Sequence, residues 1–445
     1  MKIRGARPRR SPHPLRIAIA ILCALPLVGA LSTPAYAQAA SGAGAGIPSV
    51  LRKQAGGDLE RFYAERNYRP LWLTPGGFGP QASQLLTYLA TADLDGLKPS
   101  TYRVERLRAT LTQARSGNVV ALVRAELALS TAFARYVQDQ RRIDDDEGMV
   151  FADRSLRPKK KLKVDAILRA AAFPRSFADY VSSMGWMSQH YFRLRELAGR
   201  AKAKGASPEE MARLQRNLDR ARILPSPWVR HVVVDSSSGR LWYYEAGKQV
   251  GVMRVVVGAE ATQTPMLAGM LQWAVLNPYW NVPTYLARDS VAPKVLAGRS
   301  LASLKMEALS DWSANPRQLA QSEVDWAAVA TGNQEVRLRE LPGAHNSMGR
   351  VKFIFPNDEG IYLHDTPARD LLKKEDRHFS NGCIRLENAA ELGRWLMHKP
   401  LQTKGVQPET AVPLPVSVPV YLTYLTATAT STGLAFRNDV YKRDE

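Results

Sequence analysis

At Trp228 the chain changes period, and that change limits its fold more than any other feature of its 445 residues. Beyond it, short alternating runs are broken by turn residues. HVVVD (His231 to Asp235), a Ser-Ser-Ser-Gly turn, LWYYE (Leu241 to Glu245), Ala246-Gly247 and QVGVMRVVVG (Gln249 to Gly258) read as a meander. Period-two alternation bounded by Gly and Ser is the pattern of strands joined by tight turns. Met270 to Leu276 and Val351 to Phe355 add strands, and Asn277 to Pro283 (NPYWNVP) reads as a rigid aromatic loop. Val416 to Leu425 and Leu434 to Phe436 alternate like a closing hairpin.

Before Trp228 the apolar spacing is helical. Gln84 to Ala92 stops near Asp95-Gly96, with Pro99 beyond. Val119 to Val137 carries Val120, Val123, Leu127, Ala134 and Val137 along one stripe. Ser207-Pro208-Glu209-Glu210 is a capping box that opens a charged helix to about Arg222. None of these helices offers catalytic chemistry. The fold class is therefore α+β, with a helical domain at 51–227 and a mostly β, sandwich-like domain at 228–445. A chain of this length is too long for one core.

Residues 1–37 have the form of a secretory leader: six basic residues, an apolar run from Ile17 to Leu31, and a small-residue exit at Ala35-Tyr36-Ala37. Residues 38–50 are mostly an Ala/Gly/Ser-rich flexible linker. The leader holds six of the twenty net positive charges and no acids, which leaves +14 on the mature chain. That balance fits an anionic envelope surface, and an exported chain rarely meets nucleic acid. Lys159-Lys160-Lys161-Leu162-Lys163 is either a solvated loop or a contact for anionic glycan or lipid.

The chain has two cysteines, and Cys23 lies in the leader, so the mature protein keeps one thiol, Cys383, and no internal disulfide. Cys383 stands in Ser380-Asn381-Gly382-Cys383-Ile384-Arg385, nineteen positions after His364. A thiolate is a strong nucleophile, and an imidazole can take its proton and return it to a leaving amine. Ile361 to His364 reads as a short strand with Tyr362 and His364 on one face. Asp365 can fix the imidazole tautomer through its side chain or its carbonyl. Gly382 permits a tight turn, so the N–H groups of Gly382 and Cys383 can aim at an oxyanion. Asn388 caps a helix running to about His398, which would put Cys383 near a helix N-terminus and favour thiolate. Other readings stay open: a buried hydrophobic cysteine, a zinc site of His364, His378 and Cys383, a merely solvated Arg385, and Tyr362 in either core or cleft.

The pattern resembles the L,D-transpeptidase (YkuD) signature, a histidine followed by Ser/Thr-His-Gly-Cys and then arginine or asparagine. The resemblance implies Cys383 as nucleophile, His364 as base, Gly382 at the oxyanion turn and Arg385 against the donor stem peptide. Asp365 is a further catalytic candidate; Tyr362, Ser380 and Asn381 are substrate-binding candidates. Asn381 replaces the second histidine of many members, as in the YcbB-like branch. NPYWNVP also resembles that branch, where it leads into a capping insertion, here residues 284–337 and expected to be helical. PGAHNSMGRVKF (Pro342 to Phe353) resembles the segment leading back to the catalytic strands. FYAERNYRPLWL (Phe62 to Leu73) and GLKPSTY (Gly96 to Tyr102) resemble the scaffold domain ahead of such catalytic domains. The family implies a periplasmic enzyme of the Gram-negative envelope that cross-links peptidoglycan, with no cofactor or metal. A donor tetrapeptide loses D-alanine to form a thioester, and an acceptor amine, such as diaminopimelate of a neighbouring stem, resolves it. Carbapenems would acylate the same thiol. A cysteine hydrolase acting on the same stems and a non-catalytic wall-binding protein are the rivals.

Overall fold

The computed structural model describes residues 46–143, 147–159, 161–313, 315–431 and 433–445. The expected leader, residues 38–45 of the linker, and Lys160 of the basic cluster lie outside them; the end of the expected linker is instead helical, since residues 47–50 open the helix Ile47–Gln54. Among the described residues no helix is long and apolar enough to cross a membrane.

The helical half is organised on α1 (Val119–Arg141), started by Asn118, whose side chain accepts from the N–H groups of Val120 and Ala121. The expected stripe is buried at Val123, Ala134 and Val137 and partly buried at Leu127, while Val120 is 41% exposed; Leu122, Glu126, Leu129 and Phe133 widen the buried face. Glu126 occupies a core position because it has work no apolar residue could do. Its carboxylate accepts from the backbone N–H groups of Leu71, Trp72 and Leu73 and from Tyr63 OH at 2.7 Å. A buried charge this well partnered anchors the Leu71–Leu73 segment to the helix. Helices α2 (Gln189–Ala203) and α3 (Pro208–Ile223) follow, and α3 opens on the Ser207/Glu210 capping box.

The β half contains β1 (His231–Asp235), β2 (Arg240–Glu245), β3 (Lys248–Gly258), β4 (Leu267–Leu276), β5 (Val351–Ile354), β6 (Leu363–His364) and β7 (Ile384–Leu386). Helix α4 (Ala389–Met397) and the long β8 (Thr410–Thr423) complete it. The pairing order is β5-β6-β7-β3-β2-β1-β8-β4, and β4 also pairs with β5. The sandwich-like layers are thus one sheet that closes on itself, which leaves these eight strands no free edge. Val232, Leu241, Val255, Leu271, Phe353, Leu363, Ile384 and Val420 meet inside it.

Three expectations need correction. NPYWNVP is not wholly a loop, because Trp280–Val282 is a strand paired with residues 338–340. Residues 284–337 are not simply helical: Met306–Leu309, Gln318–Leu319, Arg337–Glu340 and Trp280–Val282 form a four-stranded sheet. Short helices pack on it around Val291, Trp326 and Leu338. Burial alternates along RLRE (Arg337–Glu340), where Leu338 and Glu340 turn inward, but three charges in four residues hide that strand period from a composition reading. The tail is not one hairpin either. β8 pairs with β4 and β1, whereas Leu434–Phe436 pairs with Ala427–Ala429 and packs against the helical core.

The halves meet across β1. Val232 and Val234 face the closed sheet's interior, and Val233 packs with Tyr244 and Tyr421 against Ile223 and Leu224. Two histidines are sealed there. His231 stacks on Tyr244 at 4.8 Å, and the Tyr244 hydroxyl hydrogen-bonds His190 Nε2 at 3.2 Å. Burial pushes His231 down to about 4, and burial together with the nearby Arg193 charge pushes His190 down to about 3. Both lie below the ordinary histidine value of about 6.5, so the unfolded chain binds these protons first. Their contribution to stability is complete above about pH 6.5 and is lost as pH falls toward 4. The midpoint of thermal unfolding should therefore fall on going from about pH 7 to about pH 5. His190→Gln, which keeps hydrogen-bonding groups for Tyr244 but does not titrate there, should reduce that drop by a few degrees. An undiminished drop would place the acid sensitivity elsewhere.

Candidate active site

The site is built on two short parallel strands. β6 and β7 pair Leu363 with Ile384 and His364 with Arg385, and the Ile384 N–H donates to Tyr362 O at 3.0 Å. Leu363 and Ile384 enter the core, so alternation sends Tyr362, His364, Cys383 and Arg385 to the other face. Strands about 4.8 Å apart, with same-face residues about 6.6 Å apart, place the Cys383 and His364 backbones about 8 Å apart on a diagonal. That is a distance their side chains can span.

His364 is 2% exposed, and its Nδ1 lies 2.6 Å from the carbonyl oxygen of Asp365. A carbonyl only accepts, so Nδ1 carries the proton and Nε2 keeps its lone pair. Burial, helped by the charges of Arg385 and Lys352, holds the imidazole down to about 3 against the pull of that carbonyl. Of the two ways Asp365 could act, the backbone one is realised. Its side chain turns away, accepting from Arg350 N–H at 3.0 Å and pairing with Arg369 at 2.7 Å.

Cys383 is half-buried and follows Gly382, whose φ of +104° requires glycine; a Cβ there would also stand 3.0 Å from Ile361. Its thiol donates to Gly360 O at 3.7 Å, and no hydrogen bond joins it to His364. Burial pushes the thiol up, with Tyr362 and Arg385 pulling the other way. The expectation of a thiolate at a helix N-terminus is corrected here. β7 intervenes, and α4, capped by Asn388 onto the Glu391 N–H, begins at its far end.

Ser380 is buried, so it clamps the turn and does not face a substrate. Its hydroxyl donates to Cys383 O at 2.6 Å and accepts the Gly382 N–H at 3.2 Å. The Gly382 N–H is thereby occupied, whereas the N–H groups of Asn381 and Cys383 have no partner among the described residues. Asn381 is exposed, Tyr362 is half-buried beside His364 with ring centroids 5.8 Å apart, and Arg385 makes no hydrogen bond or ion pair with the described residues. His378 lies against Tyr441 with its Nδ1 on Asp376. Among the described residues no three His, Cys, Asp or Glu side chains gather as a metal site.

Residues 229–418 match the L,D-transpeptidase catalytic-domain family (YkuD), and residues 57–197 match the scaffold-domain family. The chain carries an L,D-transpeptidase catalytic domain behind a scaffold domain. A Haemophilus influenzae protein, named provisionally as an L,D-transpeptidase, is 26% identical over 396 residues, covering 87% of this chain and 78% of that protein. An L,D-transpeptidase from Mycobacterium smegmatis is similar at 13% identity and a TM-score of 0.22, over 44% of this chain. The match spans 58% of that structure's own length. A cysteine-to-serine mutant of the Enterococcus faecium L,D-transpeptidase is similar at 10% identity and a TM-score of 0.19, over 55% of this chain and 89% of that one.

Three residues that support the site went unread in the sequence. Lys352 lies directly across from His364, a partner that alternation in VKF could have suggested. Thr264 accepts the Gly258 N–H at 2.9 Å and donates to Gly382 O at 2.7 Å, tying the turn to the end of β3. Tyr441 donates to Gly258 O at 2.6 Å and accepts the Thr264 N–H at 3.3 Å. Neither Thr264 nor Tyr441 lies in a motif, and only long-range pairing identifies them. Thr264→Val leaves Gly382 O and Gly258 N–H unpaired and should speed alkylation of Cys383 by iodoacetamide severalfold, because a looser turn lets water reach a thiol that burial holds protonated. Thr264→Ser, which keeps the hydroxyl, should stay close to wild type. Equal rates in all three proteins would remove Thr264 from the account.

Proposed function

We propose that the chain is a periplasmic L,D-transpeptidase that cross-links peptidoglycan through a thioester on Cys383. The observation that carries this reading is the sharing of one strand face by Cys383, a neutral His364 and an uncommitted Arg385, within a domain of that family.

Arrival of a donor tetrapeptide displaces the thiol from Gly360 O toward His364. Nε2 takes the thiol proton as Sγ attacks the carbonyl carbon before the terminal D-alanine. The developing oxyanion is met by the Cys383 N–H. An imidazolium held among Arg385 and Lys352 is a strong acid, so it gives its proton promptly to the departing amine. The C–N bond breaks, D-alanine leaves and a thioester remains. An acceptor amine of a neighbouring stem, with diaminopimelate as the amine donor, then attacks the thioester; His364 takes the amine proton and returns it to sulfur. Arg385 provides a cation for a donor carboxylate. The basic leader and the +14 mature balance support export to an anionic envelope.

Muropeptides from cells making Cys383→Ala should lack the cross-links that wild type adds, while the purified variant unfolds within a few degrees of wild type. His364→Ala should slow acylation about a hundredfold or more. A carbapenem, a strained acyl group beside a carboxylate, should give one covalent adduct on wild type and none on Cys383→Ala. Arg385→Ala should slow that adduct more than it slows a small neutral thiol reagent. Turnover retained by Cys383→Ala would overturn the mechanism, and shortened stems without new cross-links would mean that water is the acceptor.

A further inference from the structure

A cleft of about 780 Å³ opens where the scaffold and catalytic halves meet, far from the thiol. One wall carries Phe173, Arg175, Ser183 and Gln189; the other carries Trp228 and the hairpin turn ending at Lys248. Phe173 is 80% exposed and Trp228 37%, with the two rings perpendicular and 6.1 Å apart. Two adjacent exposed rings rimmed by polar side chains form the kind of apolar surface on which a ligand can rest. The turn is shaped for the indole: Gly247 has φ +82°, and a Cβ there would stand 2.7 Å from the Trp228 ring. Neither Arg175 nor Lys248 is ion-paired among the described residues, and the Gln189 side-chain oxygen has no partner.

We propose that this cleft binds a glycan strand, an amino-sugar polymer bearing acidic peptide stems, and so holds the polymer on which the proposed reaction is run. The perpendicular rings form a corner for the apolar C–H face of a pyranose. Ser183 and Gln189 lie beside it for hydroxyl and acetamido groups, and Arg175 and Lys248 meet stem carboxylates. Position supports a polymer over a lone stem. β3 runs eleven residues from Lys248 to Gly258, beside the nucleophile turn, which separates cleft and thiol by roughly 30 Å. A continuous strand reaches both; a single stem does not.

The inference rests on the transpeptidase reading, and its test is kept apart from turnover. The full chain carrying Cys383→Ala is sedimented with intact peptidoglycan and with glycan stripped of its stems, and is titrated with free tetrapeptide. Phe173→Ala in that background should weaken binding to both polymers about three- to tenfold and leave the tetrapeptide unaffected. Arg175→Ala combined with Lys248→Ala should weaken binding to the stem-bearing polymer alone. Stripped glycan that fails to bind, or polymer binding unchanged by Phe173→Ala, overturns the proposal. With Cys383 present, Phe173→Ala should form the thioester with tetrapeptide at the wild-type rate; absence of that thioester in wild type would refute the transpeptidase reading without touching the binding result.

Discussion

The hydroxyl of Thr264 joins the two pieces on which the site depends. The turn from Ser380 to Cys383 is short, passes through a left-handed glycine, and would be loose on its own. Thr264 fastens Gly382 O to the end of β3, and the Ser380 carbonyl accepts from Ala259 N–H and Thr262 Oγ1, both at 2.9 Å. Gly258 allows this close approach, since a Cβ there would collide with Thr262 O. Tyr441 seals the joint from outside. Three residues on, Asp444 pairs with Arg220 at 2.6 Å and Arg213 at 2.8 Å, both on α3. The polypeptide that buttresses the Cys383 turn is thus the one that binds the last helix of the helical half, so the position of the thiol depends on the packing of that half.

Desolvation sets the resting protonation of the site. Arg385 stands near both reacting groups and favours thiolate, but burial acts more strongly on the thiol, and burial and cationic neighbours act together on the imidazole. Both effects favour a neutral pair over a thiolate–imidazolium pair. The Nδ1–H bond to the Asp365 carbonyl leaves Nε2 as the acceptor of this neutral pair.

Much of this was legible in the sequence where local chemistry is self-sufficient. The meander from His231 to Gly258, the Ser207 capping box and the Asn388 cap each follow from a few adjacent residues, and each forms as read. The face shared by Tyr362 and His364 followed from alternation alone. What stayed hidden was whatever depends on distant partners. Glu126 carries no local signal of its role, because the segment it caps lies more than fifty residues earlier. Asp365 offered two ways to orient His364, and Arg350 and Arg369 decided between them by taking its side chain. The helix after Asn388 was read correctly, but its distance from Cys383 was not, because β7 is too short to announce itself as a strand.

The central claim is a neutral dyad, and the pH profile of acylation of Cys383 by donor stem tests it most directly. With His364 titrating near 3 and the thiol above its usual range, the second-order rate constant should be flat across about pH 5 to 8, with no inflection at the ordinary histidine value of about 6.5. A bell with a limb near 6.5, abolished by His364→Ala, would mean that the imidazole titrates normally and would contradict the account.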